Sequence, residues 1–224
     1  MTVLLMLAAL SLFLLLESLL RRRQLAGAAE SRSAIAQKDP SPAWIPPGLA
    51  LATNHIWTKD EADGSVKLGL DSFFSRLLGT PDEVLLPGKD GILAHDTPSI
   101  FLRLRDKALR LQVSVAGTVT AVNKRVLDNP ALVAEDPYGN GWLLKIKRIP
   151  SLDHSESFVV SDPARWLREQ IDRSIAFFRA RPGVPSLVTL QDGGVFTEGL
   201  LRNLGSGAWD EFNKTFATLQ KKDR

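Results

Sequence analysis

The sequence predicts a mainly β domain: a flattened barrel or sandwich of short strands with short helices. A membrane-spanning helix precedes it and an α-helical extension follows it. Three observations predict this arrangement. Residues 55–146 break into short apolar runs divided by frequent turn signals. Residues 2–20 form one apolar run whose only charge is Glu17. Beyond residue 162 the apolar positions recur at helical spacing. The 224 residues divide into an anchor (1–23), a linker (24–51), the β domain (52–150) and the extension (151–224).

The anchor is long enough for its task, since a helix rising about 1.5 Å per residue carries residues 2–20 across roughly 28 Å, one hydrocarbon thickness. Arg21, Arg22 and Arg23 follow the run and no lysine or arginine precedes it. Positive charge stays inside, so the chain is expected to cross the cytoplasmic membrane once, with its globular domain in the cytoplasm. The rival is a cleaved signal peptide with LAGAA at 25–29 as its cleavage site, but such peptides carry their positive charge before the apolar run. The linker holds Pro40, Pro42, Pro46 and Pro47, which discourage regular structure and suit a tether.

In the β domain, an apolar run opens at His55 and Trp57, and Asp63-Gly64 is a hairpin signal, both residues tolerating the positive φ of a type I′ turn. Val66, Leu68 and Leu70 alternate with Lys67 and Gly69 as in a half-buried strand. Residues 71–78 suit a short helix ended by Gly79. Further strands are expected at 84–86, 99–104, 111–115, 119–122 and 142–146, with a polar tip at 105–107. Asp128-Asn129-Pro130 suits a cap for a helical turn beginning at Pro130. Asp136-Pro137-Tyr138-Gly139 is a turn, with Gly139 and Gly141 supplying unusual φ.

Composition narrows the chemistry. The net charge of +3 is too mild to imply nucleic acid. The absence of cysteine excludes disulfides, thiol catalysis and cysteine metal sites. His55, His95 and His154 lie far apart without helical ligand spacing, so no metal is expected. No nucleophile–base pair, phosphate loop or paired-carboxylate motif stands out, so no catalytic residue is expected and the chain is not expected to be an enzyme.

The segment 117–147 resembles the glycine-cleavage H protein family. The matching residues are Gly117, Asn123, Leu127-Asp128-Asn129-Pro130, Leu132-Val133, Asp136-Pro137-Tyr138-Gly139 and Gly141-Trp142. Upstream, His55 and Trp57, Gly69-Leu70-Asp71 with Phe73, Leu78-Gly79 and Leu86-Pro87 fit the same pattern. The resemblance covers about residues 54–147 and implies a lipoyl-domain fold. It also implies a lysine at a β-hairpin tip that carries lipoate by an amide bond and swings an intermediate between partner enzymes.

Ungapped counting forward from Leu86-Pro87 and back from Gly117 sets the family's lysine on Asp106. The family's glutamate falls on Arg103 and its serine on Leu104. No cofactor is therefore expected, and the chain reads as a lipoate-free interaction or scaffold module. Lys107 is the alternative lipoyl attachment point, since Asp106-Lys107-Ala108 resembles the Asp-Lys-Ala of acyltransferase lipoyl domains, but an offset of one residue changes its side. Arg103, Arg105, Lys107 and Arg110 are expected to cluster around Asp106 as a basic tip, either solvated or docking an acidic protein or the anionic leaflet.

In the extension, Asp162-Pro163 starts a helix with Leu167, Ile171, Ile175 and Phe178 on one face, ending near Pro182-Gly183. A strand at 186–190, a turn at 191–194 and a helical turn or two at 197–204 follow. Trp209, Phe212, Phe216 and Leu219 form an amphipathic stripe, which either packs back on the domain or binds a partner protein or the bilayer surface.

Overall fold

The computed structural model describes residues 44–181 and 198–221, all within the unit Ser41–Arg224. The expected membrane helix, the linker up to residue 43, and the strand and turn expected at 186–194 lie outside the described residues. Among the described residues, no helix is long and apolar enough to cross a membrane.

The β domain is built from two sheets. The larger takes the order β1 (Ala50–Leu51), β2 (Ile56–Asp60), β3 (Val66–Leu70), β9 (Leu144–Arg148), β8 (Gly117–Val122), β5 (Ile92–Leu93), every neighbouring pair antiparallel. The smaller has three strands in the order β4 (Glu83–Leu85), β6 (Pro98–Leu104), β7 (Lys107–Gln112). Alternation on each strand sends Ile56, Val66, Leu68, Ile100, Leu102, Leu109, Leu111, Leu144 and Ile146 into one apolar core.

Turns and caps explain the element boundaries. The loop after β2 is closed by Gly64 donating to the Glu61 carbonyl at 3.0 Å, while Asp63 Oδ1 accepts the Ser65 N–H at 2.9 Å. Of the two turn residues, only Gly64 takes a positive φ, so the expected type I′ turn is replaced by a longer loop held by the Asp63 side chain. Helix α1 (Ser72–Leu78) starts where Asp71 accepts the Phe74 N–H at 2.7 Å and ends at Gly79, whose φ is +69. The same Asp71 carboxylate meets His55 Nδ1 at 2.7 Å, both side chains fully buried. His55 also stacks on Phe74, with ring centroids 4.6 Å apart, and packs against Trp166 at 4.8 Å. This histidine is an internal tie between strand, helix and extension.

Two local expectations are corrected. Asp128 ends a helix instead of capping one: Asn123 caps α2 (Lys124–Asp128) by accepting the Arg125 N–H at 3.1 Å, and the helical turn expected at Pro130 forms without a side-chain cap, the Asn129 and Pro130 carbonyls accepting the Leu132 and Val133 N–H groups of α3 (Leu132–Glu135). Gly139 and Gly141 do not take positive φ. They are required for space, because a Cβ would strike the Asp136 carboxylate at the first and the Leu132 carbonyl at the second.

The extension packs back on this domain. Asp162 caps α4 (Pro163–Arg179), with Pro163 in the first turn. After residue 198, a 3-10 turn, Leu200–Asn203, leads into α5 (Ser206–Phe212), which continues as a π-helical turn, Asn213–Ala217. Leu167, Phe178, Trp209, Phe212 and Phe216 all belong to the core cluster. The aromatic stripe is therefore not a free docking face for a partner or a bilayer: Phe212 stacks on Phe216 at 4.8 Å and on Phe74 of α1 at 5.8 Å.

The hairpin tip as candidate functional site

β6 and β7 form one long hairpin. Leu104 pairs with Lys107, leaving Arg105 and Asp106 as a two-residue turn. The tip is thus shorter than the expected 105–107, and β7 starts four residues before the expected 111. Arg105 occupies the first corner at φ +56, a left-handed conformation that is strained for an L side chain. Asp82 holds it there by accepting the Arg105 N–H at 2.5 Å. Arg202 of the extension donates to the same Asp82 carboxylate at 2.8 Å and also to the Thr80 carbonyl. The extension therefore helps to set the conformation of the tip.

The hydrogen bond from Arg105, followed by that from Arg202, holds the Asp82 carboxyl below the ordinary aspartate range. A depressed carboxyl contributes fully above its unfolded value, and the contribution fades as pH falls through the folded one. The Arg105 amide is therefore expected to shift in an NMR titration with an inflection below ordinary aspartates. Asp82→Asn should abolish that inflection. A flat Arg105 amide in the wild type would deny the contact.

The basic cluster is divided by the pleat. Lys107, Leu109 and Leu111 alternate onto the inner face of the sheet, while Arg103, Ala108 and Arg110 lie on the outer one. Lys107 is not a solvated tip lysine: its side chain is only 14% exposed, its Nζ is 3.9 Å from Asp106 Oδ1, and it lies 5.9 Å from the centroid of the Trp209 ring. Asp106 is 81% exposed. Arg103 pairs with Glu83 at 2.7 Å, and Arg110 stands exposed on β7. The four basic residues therefore do not surround one aspartate.

A groove of about 540 Å³ runs between β7 and the extension, lined by Asp106, Lys107, Arg110, Trp209, Asn213 and Lys214 among others. Trp209 was legible only as part of the helical stripe; its closeness to Lys107 was not, since that depends on how a segment about a hundred residues downstream folds back. Elsewhere, His95 and His154 come together, the His154 N–H donating to His95 Nε2 at 3.1 Å, with Asp153 3.5 Å from the same nitrogen. Among the described residues, no group of three or more acidic, cysteine or histidine side chains is arranged to hold a metal.

Fold and site together define a two-sheet β domain that projects one hairpin. The model of the family described as "Glycine cleavage H-protein" matches residues 49–167. The chain is 37% identical over 109 residues to the glycine cleavage system H protein of Chromobacterium violaceum, covering 49% of this chain and 85% of that protein. It is 32% identical over 128 residues to that of Carboxydothermus hydrogenoformans, covering 56% of this chain and 96% of that one. Among solved structures, the glycine cleavage system H protein of Mycobacterium marinum is 28% identical, with a TM-score of 0.43, covering 46% of this chain and 86% of that one. The chain belongs to the glycine cleavage H-protein family. The match runs beyond Lys147 into the start of α4, and residues 198–221 lie outside it.

Proposed function

We propose that this chain is a membrane-tethered H-protein relative that works without a lipoyl group, as a docking module and not as a catalyst. The family's members carry lipoate on a lysine at a hairpin tip. The observation that carries the reading is the tip itself: an exposed carboxylate, Asp106, occupies it, and a carboxylate does not form the lipoyl amide. Lys107 does not fit the arm either, because it starts a strand, points to the inner face and lies beneath Trp209.

The tether is the apolar run at 2–20 with its following arginines, which supports a single pass and a cytoplasmic domain. Within the domain, the Trp44 carbonyl accepts the Tyr138 hydroxyl, and that hydroxyl in turn accepts the Ser72 N–H at the start of α1.

Intact mass of the full chain from its native host, with peptide mapping across 105–110, tests the reading. An unmodified tip is expected. A lipoyl amide on Lys107 would overturn it and restore a swinging-arm carrier.

A further inference from the structure

We propose that the apolar groove between the outer face of the three-stranded sheet and β5 docks a protein segment in which leucine-like side chains lie next to carboxylates. The two most exposed large hydrophobic residues on the described surface, Ile92 at 68% and Leu85 at 49%, stand on the same groove. That groove measures about 560 Å³ and is also lined by Leu86, Leu93, Pro98 and Phe101. Single exposed apolar residues are ordinary, but a contiguous apolar groove on a soluble domain marks a contact surface. Leu85 and Ile92 stand on β4 and β5, the outermost strands of their two sheets, so no further strand of the described fold covers them.

The charge beside the groove selects the partner. The register sets Leu85, Phe101 and Arg110 in one row across the outer face, and Glu83, Arg103 and Ala108 in the next. Arg110 forms no ion pair among the described residues, and Arg105 crowns the tip one strand-end away. Two of the nearby carboxylates are already engaged, Glu83 by the Arg103 side chain and Asp82 by the Arg105 N–H and the Arg202 guanidinium. The exposed residues that flank the groove's lining in sequence carry both signs: Lys89, Asp90 and Asp96. An apolar groove with Arg110 unpaired in the row beside it is complementary to a segment pairing apolar with acidic residues.

This inference deepens the docking reading and rests on it only in taking the hairpin sheet as the working surface. Lipoylation is read separately by mass, so the two fail independently. The test uses the ¹⁵N-labelled full chain in phosphatidylcholine nanodiscs, titrated with a synthetic peptide alternating leucine and glutamate. Amide shifts are expected to concentrate at Leu85, Ile92, Phe101, Arg103 and Arg110. Arg110→Glu and Ile92→Asp, both at exposed positions, should each weaken binding about tenfold or more. Equal binding of a leucine–lysine peptide, shifts scattered over other surfaces, no shifts, or unchanged binding by the two variants would overturn the proposal. Movement of the same amides on dilution without peptide would assign the face to a second copy. Movement on exchange into phosphatidylglycerol nanodiscs would assign it to lipid. Either result overturns the proposal as well.

Discussion

Asp106→Lys is expected to convert the protein from a non-substrate into a substrate for lipoylation. Incubated with lipoate, ATP and a lipoate–protein ligase, the wild type should keep its mass, and the variant should gain one lipoyl group on the introduced lysine. The expectation rests on the difference between losing a residue and losing a site. The two-residue turn, the left-handed Arg105 and the Asp82 contact keep a presented tip, and the side chain at position 106 is 81% exposed. A lysine there would project its stem into solvent, where Lys107, one residue on, runs along the inner face under Trp209. Arg103→Glu, at the position that ungapped counting assigns to the family's glutamate, should raise the rate when added to the first change. A double variant that gains no mass would mean that the surroundings of the tip, the extension included, also exclude the ligase.

The strands that alternate cleanly were legible because one face of each is buried: Val66, Leu68 and Leu70 appear as read, within a strand whose partner is set by the same apolar face. Asp71 and Asp162 were legible as helix starts because a cap is a local bond between one side chain and an amide a few residues on. The hairpin was only half legible. Position 106 fell at the tip by counting, but the start of β7 at Lys107 depends on pairing with Leu104, and the side that Lys107 takes follows from that register alone. Four basic residues close in sequence read as one cluster, although a strand alternates and a cluster there divides between two faces. Contacts between distant segments were not legible at all. The Asp82–Arg202 bond and the meeting of His95 with His154 join residues brought together only by the completed fold.

Phe212→Ala is expected to destabilise the whole domain by about 3–5 kcal/mol, the ordinary range for emptying a buried phenylalanine site. Phe212 is fully buried and lies between two groups of rings: Phe74 of α1 at 5.8 Å on one side, Phe177 at 5.6 Å, Phe178 at 6.1 Å and Phe216 at 4.8 Å on the other. Phe74 also stacks on His55, which is bonded to Asp71, so a cavity at Phe212 loosens the helix cap that leads from β3 into α1. The family match ends at residue 167, before this ring cluster is complete, yet the cluster continues the β-domain core without a break. The extension is therefore part of the cooperative unit and not an appendage. In urea, the variant's midpoint should fall at an unchanged slope, and amide exchange should quicken in β3 and β9 as well as in α5. Trp44→Ala, at a site 42% exposed, should leave both nearly unchanged. If the strands of the Phe212 variant instead kept their wild-type protection while only α5 loosened, the extension would be a separable cap, and its hold on the tip through Arg202 would be a contact the domain can release.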